Sequence, residues 1–170
     1  SVKDGVVDKT VLFKIGLKID TLAAENLLFT SDEALVKYWG LTQTHILNLL
    51  TLSPECCVQM MNGTPECVSQ FALGYSDSAY NFKVLIDVIV AAKESPVQTF
   101  NEKQALEDTE IIFTDLIHKH KDVYESTEEL TYTEGNEKEV CQFYLDLTDK
   151  INDLPTERAA NAIRLIISFE

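Results

Sequence analysis

The chain has 170 residues, is 45% hydrophobic, and carries 28 acidic against 14 basic side chains, a formal net charge of −14. That length and apolar content suffice for one domain, residues 1–170, with a core of its own. So acidic a surface repels phosphate backbones and anionic membranes, which argues against nucleic-acid binding. The longest apolar run, Val84 to Ala92, is interrupted by Asp87 and is too short to span a bilayer.

The charge is unevenly distributed. Asn101 to Glu157 holds sixteen acids and five lysines, whereas residues 1–100 hold eleven acids and seven lysines. The acidic half suits a basic protein partner, although a solvated, solubilising face gives the same pattern.

In chain order, the N-terminal segment reads two ways. Val11, Phe13, Ile15, Leu17 and Ile19 alternate as a strand would, with Glu129 to Thr133 as its candidate partner. Val7, Val11, Ile15, Ile19 and Leu22 equally share one helical face, and helix is the reading adopted. Ser31-Asp32-Glu33 caps a second helix, which Gly40 is expected to stop after Tyr38-Trp39. A short helix follows from about Thr42 to Leu52, with Ile46, Leu47, Leu49 and Leu50 as its apolar face, and Pro54 ends it at Ser53.

The stretch Ser53 to Gln70 states one phrase twice. Ser53-Pro54-Glu55-Cys56 is echoed by Thr64-Pro65-Glu66-Cys67, with Asn62-Gly63 as a turn between them. Each copy places a hydroxyl cap, a proline suited to the first helical position, and an acid at the positive end of a helix. Ser76 to Lys93 forms the strongest helix, apolar around most of its circumference except where Lys83 and Asp87 pair at i, i+4. Such a helix is expected in the middle of a bundle.

Pro96 marks a break before a long helix from about Asn101 to Tyr124, with Leu106, Ile112, Phe113, Leu116, Ile117 and Val123 along one arc. After a polar loop, Glu125 to Asn136, a helix over Glu137 to Asn152 buries Val140, Tyr144, Leu147 and Ile151. Asp153 and Pro155 open the last helix, with Ala159, Ile163 and Ile166 inward and an end, Leu165 to Phe169, too apolar for a free tail. The fold class is all-α: a single-domain, irregular multi-helix bundle stapled by disulfides at the helical turn of residues 53–67.

Chemistry concentrates in the cysteines. Four of them, three within twelve residues, suit a disulfide framework in a protein exported to the periplasm or the extracellular space, and a chain that begins at Ser1 fits either a leader removed on export or a start inside a longer gene product. A vicinal Cys56–Cys57 bond is disfavoured by backbone strain. Two pairings remain, Cys57–Cys141 with Cys56–Cys67, which is preferred, and Cys57–Cys67 with Cys56–Cys141; in either, Cys141 on the inward arc of its helix ties the turn to the core.

Other uses of these atoms have weaker signatures. Cys56 or Cys67 at a helix start, with His45 as base, would make a thiol-dependent or hydrolytic enzyme, but no family-type cysteine motif surrounds them. A zinc site lacks the usual C-x2-4-C pairs, so no metal or cofactor is assigned. His120 shares the arc of Ile112 and Leu116 while His118 points away, and His120 is expected to satisfy the last carbonyls of its helix. Glu128, Glu129, Glu134, Asn136 and Glu137 lack the order of a calcium loop. Asn62-Gly63-Thr64 is a glycosylation sequon that matters only in a eukaryotic secreted protein.

No catalytic residues emerge. The reading favoured is a non-enzymatic, exported, acidic helical protein that binds a macromolecule. A carrier of an apolar small molecule lined by Met60, Met61, Phe82 and Phe113 is the alternative.

Overall fold

The computed structural model describes residues 2–3, 6–7, 9–61, 78–94, 96–97, 99–121 and 135–169. Within them the chain is a helical bundle. It begins with a two-residue antiparallel ladder, β1 (Val2–Lys3) against β2 (Val6–Val7), in the register Val2 to Val7. The helices are α1 (Lys9–Ala24), α2 (Asp32–Leu52), α3 (Pro54–Met61), α4 (Ser78–Glu94), α5 (Glu102–Lys119), α6 (Glu137–Asn152) and α7 (Thr156–Ser168), with a 3-10 turn at Leu27–Phe29.

Helix α2 is the axis of the bundle and packs against α3, α4, α6 and α7. It starts where the sequence says it should, because the Ser31 side chain accepts a hydrogen bond from the Ala34 amide. It does not stop at Gly40. The helix runs unbroken to Leu52, since Leu35 and Trp39 belong to one core cluster and Ile46 and Leu49 to another. Burial along both halves outweighs the roughly 1 kcal/mol that a mid-helix glycine costs. Leu47, expected inward, is half exposed.

The larger core joins Leu35 and Trp39 to Leu85 and Val88 of α4, Ile112 and Leu116 of α5, Phe143, Leu147 and Ile151 of α6, and Ile163 of α7. The smaller one surrounds the cysteines: Ile46 and Leu49 of α2, Cys56 and Cys57 of α3, and Cys141 and Leu145 of α6. Helix α6 therefore belongs to both, and its expected span and inward residues are as observed, with Tyr144 half-buried.

Three helices differ from expectation in which face they bury. On α1, Ile19 packs against the larger core as expected and Ala23 is buried, but Ile15 and Leu22 are exposed; Val7 belongs to β2 instead, and the Val11 side chain lies outside the described residues. Helix α4 is not central: Tyr80, Phe82, Ile86 and Val90 stay exposed on its outer side, although Lys83 and Asp87 pair at 2.5 Å as anticipated. Helix α5 starts at the Asn101 cap but ends at Lys119, with His120 as its C-cap, and Leu106 faces out. At the C-terminus Leu165 is buried but Phe169 is exposed. The second copy of the repeated phrase, Asn62-Gly63 and most of the acidic loop lie outside the described residues.

Candidate functional site

The cysteine-rich turn is built from the end of α2. Ser53 closes that helix, and its hydroxyl accepts from the Cys56 amide, so one serine ends α2 and caps α3. This puts Cys56 and Cys57 in the first turn of α3, both buried. Cys57 is joined to Cys141 in a disulfide with a Cα–Cα distance of 5.9 Å, spanning 84 residues. Cys56 is also disulfide-bonded, and its expected partner, Cys67, lies outside the described residues. A sulfur already bonded to sulfur offers no thiolate, so Cys56 as it stands here is a crosslink and not a nucleophile. His45, the base considered with it, is half-buried on α2, where burial lowers its pKa.

A polar cluster that the sequence conceals joins α5 to α6. His120 Nε2 lies 2.6 Å from Asp146 Oδ2, and Lys119 Nζ reaches the same oxygen at 2.6 Å. Gln142 Nε2 donates to Asp146 Oδ1 at 3.0 Å, and the imidazole sits edge-on to Phe143. His120 thus engages a carboxylate rather than the carbonyls of its own helix. Burial raises the Asp146 pKa, but the hydrogen bonds from Lys119, His120 and Gln142 together outweigh it and hold the carboxyl below its usual range. With both carboxylate oxygens occupied and both side chains about nine-tenths buried, the pair braces two helices.

A second bridge links α5 to α7. Arg158 Nε donates to Asp108 Oδ2 at 2.9 Å and its Nη2 to Oδ1, while Gln104 Nε2 adds 3.3 Å to Oδ1. Hydrogen bonding to Arg158 is the main reason that the Asp108 carboxyl is held below its usual range. Arg164, almost wholly buried on α7, was also missed. Its place beside Ala160 and Ile163 on the inward face of an amphipathic helix is the signal that could have found it.

What these braces leave outward is the acidic face of α5. Leu106 is 55% and Ile111 68% exposed, and around the helix they flank Glu110, Glu107 and Lys103. Glu107 pairs with Lys103 at 3.7 Å and Asp115 with Lys150 at 2.6 Å. Glu102 and Glu110 make no ion pair among the described residues. The face combines two exposed aliphatic side chains with uncompensated carboxylates, a combination suited to a basic, partly apolar ligand surface.

Of the residues considered for an apolar carrier, the three with described side chains are placed apart. Met60 packs beside the disulfide cluster, Phe113 lies 6.3 Å from Phe143 in the larger core, and the Phe82 ring lies against Gly16 of α1. The Met61 side chain is outside the described set. An open groove of about 250 Å³ lies instead between α2 and α4, floored by Ala34 and Ala91 and rimmed by Glu33, Lys37, Asp87 and Glu94. No group of three or more metal-ligating side chains occurs among the described residues, and no described helix is long and apolar enough to cross a membrane. Comparison with protein-family models, with curated proteins and with solved structures finds no match for this chain.

Proposed function

We propose that this chain is an exported, disulfide-stapled helical protein that binds a basic protein partner through the outer face of α5. The observation that carries the reading is the exposure of Leu106 and Ile111 around the carboxylates of Glu107 and Glu110. Exposed aliphatic groups supply contact area, and like-signed carboxylates around them select a positively charged partner and speed its approach. The Cys57–Cys141 disulfide supports a periplasmic or extracellular location, because such bonds persist in oxidising compartments.

The test is a titration with two synthetic helical peptides of equal apolar content, one lysine-rich and one glutamate-rich, followed by amide shifts. The reading expects the lysine-rich peptide alone to bind, to perturb α5, and to weaken as salt rises. Binding that ignores peptide charge, or no binding at millimolar peptide, would overturn it.

A further inference from the structure

The outer face of α4 differs from that of α5 in one respect that decides its partner. Phe82, Ile86 and Val90 follow one another at i, i+4 and i+8 and are 36%, 46% and 42% exposed, forming a continuous apolar ridge. A side chain at Gly16 of α1 would begin 3.4 Å from the Phe82 ring, and α1 itself exposes Ile15 and Leu22. Beside Val90 opens the groove floored by Ala34 and Ala91.

The charges around this ridge are balanced. Helix α4 carries Lys83 and Lys93 against Asp87 and Glu94, and the facing turn of α2 adds Lys37 against Glu33. In a chain of net charge −14, two copies repel over most approaches. They meet with less of that penalty where apolar area is exposed and the local charge, with Lys18, Asp20 and Glu25 of the α1 side included, is close to zero.

We infer that the α4 ridge is a self-association surface, and that its occupant is α4 of a second copy packed antiparallel about Ile86. Phe82 and Val90 lie at equal four-residue spacing on either side of that residue. A two-fold axis through it sets Ile86 against Ile86 of the second copy, and sets each Phe82 opposite Val90 at the mouth of the Ala34–Ala91 groove. Ridges with four-residue spacing interlock with their like at a crossing angle near −50°. One helix of 17 residues is about 25 Å long and offers less than the roughly 800 Å² per partner of a standard interface. The dimer is therefore weak, forming in the micromolar range or above.

Sedimentation equilibrium from 5 µM to 500 µM tests this. The wild-type average mass is expected to climb from 19.1 kDa towards twice that value, more readily in about 0.5 M salt, where the overall repulsion is screened. Ile86→Glu, at an exposed site, is expected to remain at the monomer mass throughout, with dissociation at least tenfold easier and unchanged circular dichroism. Ile86→Cys is expected to give a covalent dimer on mild oxidation, where Ile111→Cys gives none. A wild-type monomer at every concentration, a dimer indifferent to Ile86→Glu, or equal crosslinking of the two cysteine variants would overturn the inference.

Discussion

Arg164 Nη1 donates to Asp32 Oδ1 at 2.7 Å, tying the last helix to the first turn of α2 across 132 residues of sequence. The same guanidinium donates from Nη2 to the Thr30 carbonyl at 2.7 Å and from Nε to the Leu28 carbonyl at 3.3 Å, and the Thr30 hydroxyl donates to the Val88 carbonyl. One buried cation thus holds the turn between α1 and α2, a segment with few ladder bonds of its own. Arg164→Met would strand two carbonyls and a carboxylate, and is expected to cost about 3 kcal/mol or more. Urea unfolding should show a lower midpoint with an unchanged slope. Arg164→Lys should recover only part of the loss, because an ammonium cannot reproduce the planar fork.

Removing the long crosslink is the largest single perturbation expected. With a sequence separation of 84 between its cysteines, the Cys57–Cys141 bond contributes about 4–5 kcal/mol by the chain-entropy model. Cys57→Ala with Cys141→Ala should therefore lower the melting temperature by about 10–15 °C in a domain of this size, read by calorimetry.

Gly40 offers a gain. A side chain built there meets nothing within 4 Å, and the residue lies inside α2. Gly40→Ala is expected to stabilise the protein by about 0.5–1 kcal/mol, measured by the urea midpoint. A neutral or negative result would mean that α2 bends at Gly40 in solution.

Acid should weaken the fold in two windows. Burial disfavours the His45 cation, so its folded pKa lies below the ordinary 6.5, and stability that is full above pH 6.5 declines as pH falls below it. Asp108, hydrogen-bonded to Arg158, and Asp146, which Lys119, His120 and Gln142 keep ionised against its burial, have folded pKa values below the ordinary 3.8. Their contribution is full above pH 3.8 and is lost as pH drops through the lower folded values. Urea midpoints at pH 8, 5.5 and 3 should show both losses. His45→Gln should flatten the first alone, and Asp146→Asn should reduce the second.

On the α5 face, Leu106→Ser with Ile111→Ser should leave the melting temperature within about 1 °C, since both side chains are already exposed. The same pair should weaken binding of the lysine-rich peptide at least tenfold. Glu107→Gln with Glu110→Gln should instead reduce its salt dependence, because those carboxylates act at a distance.

Local chemistry was legible where it acts within a few residues. Ser31, Ser53 and Asn101 cap helices as their sequence contexts announce, and Lys83 finds Asp87 one turn away. Cys141 was legible as buried, because α6 is cleanly amphipathic around it. What failed was the inference from composition to position. Helix α4 is apolar nearly all round, yet only its Val84, Leu85, Val88 and Ala92 side is covered. Gly40 looked like a stop because glycine often is one, and nothing local announces that α2 must reach two separate core clusters. The His120–Asp146 and Arg164–Asp32 pairs are 26 and 132 residues apart, so no local pattern could reveal them.

The crosslink from α3 to α6 also changes what a single break in the chain does. Any peptide bond cut between Cys57 and Cys141 leaves the two pieces covalently attached, each still seated against α2 through its own cysteine-bearing helix. A nicked molecule would migrate as one band on a denaturing gel without reductant and as two with it. Protease damage in that interval would be survivable, and reduction would be the event that parts the pieces.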